Sequence, residues 1–339
     1  MHFWLELPAL FKTTAIFSPR LRTIPPTLSN PVQTSVRLLG PFDPPTALQK
    51  FLQNFFGQPP ARPRLLPNLS PSISEHILTI QTHQTHQTHQ AHLSETSQSK
   101  IIGSIRYRAN ACLFLPANVQ ISVIDCFCVH PSYQKKGIGT ALLSHLHHFT
   151  MKRGHKYSIF LKEGAPIFAP IPPLYSSTYA YRRPQPRRSP NVRQIYQFQA
   201  VALVKLYCQI FTNTFVLLPS TNNRTKTYWF FWLGPDLKWL LAVFQDAYQE
   251  HPSGGRIFTL SGVLSSPTLS PAHYQEALEE TVSHFATHVP LLSWIWTDAS
   301  FIREQRNPAD WQKDGPFHWY SYQWDTSLFP QAKGYILCV

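Results

Sequence analysis

The sequence predicts a mixed α/β fold (an α+β mixture) in two successive halves, each combining helices with antiparallel strands. Three observations lead there. Thirty-one prolines and only 14% charged residues describe a chain of loops and extended segments, not a helix bundle. Strand-like apolar runs alternate with runs of helical period. The grammar of the first half then returns in the second without visible repetition of sequence. At 339 residues, 43% of them hydrophobic, the chain suffices for two medium domains or one large unit on a continuous sheet.

Taken in order, residues 18–46 are punctuated by proline and read as extended. A helix starts near Thr46, since Leu48, Phe51 and Phe55 of "TALQKFLQNFF" share a face. "GQPPARPRLLPNLSP" follows as loop. The repeat "QTHQTHQTHQ" sets His83, His86 and His89 at a regular interval, which invites a metal reading. Its composition is that of a low-complexity surface insertion, placed over 81–98, and no metal is assigned. "KIIGSIRYRANACLF" and "NVQISVIDCFCV" read as adjacent strands of a hairpin. "GTALLSHLHHFTMKRG" is an amphipathic helix with Leu142, Leu146 and Phe149 on one face and Gly154 as its stop. "KYSIFL" is a strand, "RRPQPRR" is basic and broken by proline, and "QIYQFQAVALVKLY" reads as a strand or strand pair. The second half predicts a helix at "GPDLKWLLAVFQDAYQEH", a strand at "GGRIFTLSGVL" and a helix at "SPAHYQEALEETVSHFATH". Strands at "LLSWIWTDA", "FHWYSYQW" and "KGYILCV" close the chain.

The formal charge of +13 favours an anionic partner: a nucleic acid, a membrane surface or a phosphorylated cofactor. The five cysteines, Cys112, Cys126, Cys128, Cys208 and Cys338, include no C-x-x-C pair. That argues against a zinc knuckle or disulfide framework and for a reducing compartment. No apolar run reaches the roughly 20 residues of a membrane span. The N-terminal "MHFWLELPALF" lacks a basic n-region and carries Glu6, so it does not read as a signal peptide. The default location is cytoplasmic.

The chemistry concentrates in "IDCFCVHPSYQKKGIGTALL", a strand that breaks into a basic, glycine-containing turn and then a helix. Backbone N–H groups of Gln134 to Gly139 and the helix N-terminus can face a pyrophosphate, with counter-charge from Lys135 and Lys136. "QKKGIGTALL" resembles the phosphate loop of the Gcn5-related N-acyltransferase superfamily. The preceding residues narrow this, because the whole stretch resembles the strand–loop–helix of glycylpeptide N-tetradecanoyltransferases (N-myristoyltransferases). "HFW" at His2, Phe3 and Trp4 is similar to that family's aromatic segment at the CoA end of the acyl donor. "SSTYAYRRPQPRR" and "DGPFHWYSYQW" are similar to two later family segments, so the resemblance runs nearly end to end.

The resemblance implies two tandem acyltransferase-like halves forming a continuous mixed sheet flanked by helices: an acyl-CoA-binding half over 1–190 and a peptide-binding half over 191–339. It implies an N-acyltransferase moving myristoyl from myristoyl-CoA, a co-substrate and not a resident cofactor, to the N-terminal glycine of proteins or nascent chains. It assigns the terminal carboxylate of Val339 as general base and backbone N–H groups at Cys126 and Phe127 as oxyanion donors. CoA contacts fall on His2, Phe3, Trp4, Cys128, Val129, Gln134, Lys135, Lys136, Gly137, Ile138, Gly139 and Thr140. Substrate contacts fall on Lys162, Glu163, Gly164, Tyr179 and Tyr181. A monomer without transmembrane segment or specific nucleic acid is expected. Cys128 is read as an ordinary strand cysteine and His130 as a structural strand end. Three departures stand out: Gln134 and Gly137 where the family has arginines, Arg62 and Arg64 where it carries acids, and Lys162–Gly164 where it has Thr-Ala-Gly. Two alternatives follow, an acetyl-type N-acyltransferase and a degenerate homologue that binds acyl-CoA without turnover.

Overall fold

Alternating apolar strands and amphipathic helices fold into one long mixed sheet with helices on both faces. The computed structural model describes residues 34–39, 46–55, 64–65, 75–84, 98–113, 118–154, 157–166, 173, 175–210, 214–218, 227–251, 254–302, 311–322 and 334–337. In chain order the elements are β1 (Thr34–Leu39), α1 (Thr46–Phe55), β2 (Arg64–Leu65), β3 (Glu75–Gln84), β4 (Gln98–Leu113) and β5 (Asn118–Val129). There follow α2 (Ile138–Lys152), β6 (Tyr157–Glu163), β7 (Tyr175–Arg182), β8 (Val192–Ile195), α3 (Gln197–Ile210), β9 (Thr214–Leu218) and β10 (Thr227–Leu233). The last are β11 (Trp239–Glu250), β12 (Arg256–Ser265), α4 (Pro271–Ala286), β13 (Leu292–Asp298), β14 (Gln312–Tyr322) and β15 (Gly334–Leu337). Among the described residues the main sheet runs β1-β3-β4-β5-β6-β14-β7-β13-β12-β11-β10-β8.

Two halves of one design meet in this sheet. In the first, β3, β4 and β5 form an antiparallel meander, α2 crosses over, and β6 returns parallel to β5. In the second, β10, β11 and β12 form the meander, α4 crosses, and β13 returns parallel to β12. Each half is covered on both faces. Ile102 and Ile105 of β4 meet Ile138, Leu142 and Leu146 of α2, whereas Ile101 turns the other way to Leu48 and Phe51 of α1. In the second half Phe230 and Phe244 meet Phe285 of α4, while Trp229 and Val243 meet Val204 of α3. Phe244 and Phe285 stack with centroids 4.0 Å apart. Leu142 and Leu146 are essentially solvent-free, so truncating either to Ala costs about 2–5 kcal/mol.

Local signals explain most boundaries. Ser270 caps α4 by accepting from the His273 N–H at 3.3 Å, with Pro271 in the first turn. Gly154, at φ +75°, follows the end of α2.

Four sequence readings are corrected. "QIYQFQAVALVKLY" is not a strand pair: only its start lies in β8, and the rest is α3, which buries Ala200, Val204 and Cys208 at helical spacing. Its far side is also apolar, which hid the period. "GPDLKWLLAVFQDAYQEH" is not a helix but the tight turn Pro235–Leu237 followed by β11. Leu240 to Asp246 are all buried between α3 and α4, so the strand shows no alternation. The loop read over residues 57–71 contains the short strand β2, paired with Gln249 and Glu250. The segment placed over 81–98 begins inside β3, where Gln81 pairs Ile101 and His83 pairs Ser99, and it ends on the first residue of β4. His86 and His89 lie outside the described residues. Among the described residues no group of His, Cys, Asp or Glu is arranged to hold a metal, and no helix is long and apolar enough to cross a membrane.

Candidate active site

The parallel ladder between β5 and β6 is short. It joins Ile121–Ile124 to Tyr157–Phe160 and then stops. Beyond it, Asp125–Val129 forms one wall of a splayed gap, and Leu161–Gly164 continues the other, held from behind by β14.

At the start of the gap β5 bulges. Ser104 pairs Cys128 and Arg106 pairs Asp125, so Cys126 and Phe127 together face one residue of β4. Cys126 stands at φ +49°, a conformation rare for a side-chain-bearing residue. The buried Ser104 hydroxyl donates to the Cys126 carbonyl at 3.0 Å and pins the distortion. Asp125 anchors the bulge from the other side. Its carboxylate accepts from Arg106 Nε at 2.5 Å and from the second Arg106 nitrogen at 2.7 Å, and it pairs Arg108 at 2.6 Å. Burial alone would raise the Asp125 pKa; the two guanidiniums outweigh it and hold the carboxyl down at about 2. Such a bulge releases backbone groups from the ladder, which is what an oxyanion site between Cys126 and Phe127 needs. Burial pushes the Cys126 and Cys128 thiols up to about 12, so neither supplies a thiolate near neutral pH.

The strand leads directly into the basic turn. The His130 N–H donates to the Ile102 carbonyl at 2.9 Å, and its Nδ1 accepts from the Ser132 N–H at 3.2 Å. The ring packs on Phe55 of α1 at 4.3 Å between centroids and on Tyr133 at 5.6 Å. His130 is a structural strand end. Lys135 at φ +62° and Gly137 at φ +79° curl the chain into α2, with Gly137 at the N-cap. Gln134, Lys135, Lys136 and Gly137 are exposed, and the Lys136 ammonium lies 5.2 Å from the Tyr133 ring centre. The first N–H groups of an α-helix lack intrahelical acceptors and sit at its positive end. Lys135 and Lys136 beside them add positive charge to that end. Gly103 on β4 lets α2 come this close: a Cβ there would lie 2.9 Å from Ile138 Cγ2 and 3.0 Å from Leu142 Cδ1.

Across the gap, Gly164 turns the chain at φ +78° and its N–H donates to the Pro316 carbonyl at 2.9 Å. The Lys162 ammonium folds back on the Glu163 carbonyl at 2.5 Å. Tyr179 and Tyr181 stand on one face of β7, in a row with Trp296, Trp294 and Phe317.

Sequence reasoning missed two groups here. His318 of β14 donates from Nε2 to the Gly164 carbonyl at 3.1 Å and accepts from the Ser176 hydroxyl at 2.8 Å, locking the end of β6 to β7. Asp298 accepts from Tyr175 and Ser177 hydroxyls, each at 2.5 Å, and from the Ser300 N–H at 2.8 Å. Burial, reinforced by Asp298, pushes the Tyr175 hydroxyl up to about 12. Neither group has a sequence signal, because Ser176 and Gly164 lie more than a hundred residues from His318, as Tyr175 and Ser177 do from Asp298. The fold thus brings Cys126–Val129, Gln134–Thr140 and Lys162–Gly164 around one gap, with Tyr179 and Tyr181 two strands further along the sheet. His2, Phe3, Trp4 and Val339 lie outside the described residues.

Residues 62–166 match the family model described as the acetyltransferase (GNAT) family. No curated protein matches the sequence. A solved structure of Saccharomyces cerevisiae N-myristoyltransferase with bound myristoyl-CoA superimposes with a TM-score of 0.59 at 12% identity, over 87% of this chain and 80% of that one. Another, with bound myristoyl-CoA and inhibitors, gives 0.54 at 10% identity, over 87% and 81%. At these identities the likeness is one of fold.

Proposed function

We propose, from the GNAT-type acyltransferase domain of residues 62–166, that the protein moves a long acyl chain, myristoyl, from acyl-CoA to the N-terminal glycine amine of a peptide. The observation that carries this reading is the splayed gap between β5 and β6, with a pinned bulge on one wall and a basic helix N-terminus at its end. The likeness in fold to proteins that bind myristoyl-CoA supports the choice of chain.

In this reading the CoA pyrophosphate rests on the first turn of α2, held by backbone N–H groups from Gly137 to Thr140 and by Lys135 and Lys136. The pantetheine runs into the gap beside Cys128 and Val129, and the thioester carbonyl meets the Cys126 and Phe127 N–H groups. The peptide enters past Lys162–Gly164, with Tyr179 and Tyr181 along its path. The Val339 carboxylate takes a proton from the glycine ammonium. The free amine attacks the thioester carbon, the oxyanion is held at the bulge, and the C–S bond breaks as the surplus proton of the new nitrogen centre passes to the departing sulfur, releasing CoA thiol. The cytoplasm is the proposed compartment, and the protein acts as a monomer.

A second reading rests on Gln134 and Gly137, which make the phosphate loop more like that of acetyltransferases. Rates with acyl-CoA donors of increasing chain length, on a panel of peptides beginning with glycine, separate the two. Transfer of acetyl alone would leave the second reading standing. Full activity after removal of the last few residues would eliminate Val339 as the base. Tight acyl-CoA binding without product would mark a degenerate homologue.

A further inference from the structure

We propose that the outward side of α3 docks the protein on an anionic lipid bilayer. α3 buries Ala200, Val204 and Cys208 against the sheet. Its other side carries Phe198, Leu206 and Ile210, which are 71%, 55% and 65% exposed. With exposed Ala202 between them they form a line at four-residue spacing along the helix. Tyr196, just before the helix, is 73% exposed and stacks on Phe198 with centroids 5.9 Å apart and planes 10° from parallel. Single exposed apolar residues are ordinary, but a continuous line of them marks a contact surface.

Charge selects the occupant. From Gly164 to Pro235 the sequence contains eight Lys or Arg and no Asp or Glu. Arg182 is committed to Glu279. Arg187 and Arg188 lie against α4 on the opposite face of the sheet, whereas exposed Arg193 is on the strand leading into α3 and exposed Lys205 is on the helix itself. An apolar line, an aromatic pair at its start and basic flanks without acids fit a helix lying in the headgroup layer of an anionic leaflet. A second copy would bring the same positive charge against itself. RNA would satisfy the arginines but leave Phe198, Leu206 and Ile210 in water. The inference goes beyond the acyl-transfer reading and does not depend on it.

Vesicle flotation tests it without any activity assay. The full chain should float with vesicles of phosphatidylcholine plus phosphatidylserine, bind pure phosphatidylcholine far less, and release as salt rises. The double substitution Leu206→Glu with Ile210→Glu should lower partitioning at least tenfold. Arg193→Ala with Lys205→Ala should lower it roughly fivefold per charge. All four positions are exposed, so melting curves of the variants should match wild type. Equal binding to neutral vesicles, or binding indifferent to both double substitutions, would overturn the proposal. So would light scattering that shows a dimer dissolved by Leu206→Glu, or RNA binding without vesicle binding.

Discussion

Gly103→Ala is the sharpest perturbation of the proposed phosphate cradle that substitutes none of its residues. The new methyl would stand 2.9 Å from Ile138 Cγ2 and 3.0 Å from Leu142 Cδ1, where carbon atoms prefer about 3.5–4.0 Å. Leu142 can swing its terminal methyl aside. Ile138 cannot, because Cγ2 hangs directly on Cβ, so the first turn of α2 must lift from the sheet. Overpacking of this kind costs about 1–3 kcal/mol. Replacing glycine within a strand returns about 0.5–1 kcal/mol, leaving a net loss of up to roughly 2.5 kcal/mol. Thermal unfolding should fall by about 2–4 °C per kcal/mol. Acyl-CoA affinity, read by calorimetric titration, should fall several-fold, because Ile138 opens the helix whose amides would hold the phosphates. Leu146→Ala is the control: it lies further along α2 and should cost at least as much stability without moving the cradle. A Gly103→Ala protein that binds acyl-CoA like wild type would show that α2 stays seated with the methyl in place.

Three further outcomes follow from the same geometry. Lys135→Ala with Lys136→Ala should raise KM for acyl-CoA about tenfold or more at low salt, leave kcat nearly unchanged, and matter less as salt rises; steady-state kinetics at two ionic strengths reads it. Asp125 has a folded pKa of about 2 against an ordinary 3.8, so its contribution is complete above pH 4 and is lost as pH falls through 2. Urea unfolding between pH 6 and pH 2 should show at most about 2 kcal/mol from this group, absent in Asp125→Asn. Ser104→Ala removes the donor to the Cys126 carbonyl and should cost about 1 kcal/mol of stability, with kcat falling more than KM rises if the bulge holds the oxyanion.

What the sequence made legible was local. The helix from Thr46, the β4–β5 hairpin, α2 with its stop at Gly154, and the capped α4 each carry their signal within a few residues. Of the internal repeat only the helix and the strands on either side of it were legible in both halves; β3 and β10 were not read as strands and β11 was read as a helix, so the two meanders were not legible. α3 and β11 were misread for one physical reason. Each is apolar beyond the side that a simple pattern expects: α3 through its exposed Phe198, Leu206 and Ile210, β11 because both its faces are covered. At the site, the basic turn announced itself by glycine and lysine after a strand. The Ser104 pin, the Asp125–Arg106–Arg108 group and the His318–Gly164 lock did not, because strand register alone brings them together.

Intact-mass analysis of a glycine-started peptide, after incubation with the full chain and an equal mixture of myristoyl-CoA and acetyl-CoA, decides which acyl group is moved. The expected product is a peptide heavier by one myristoyl group on its N-terminal amine, with no product when that glycine is blocked. A peptide carrying only acetyl, or an unmodified peptide beside a protein that binds acyl-CoA, would contradict that expectation.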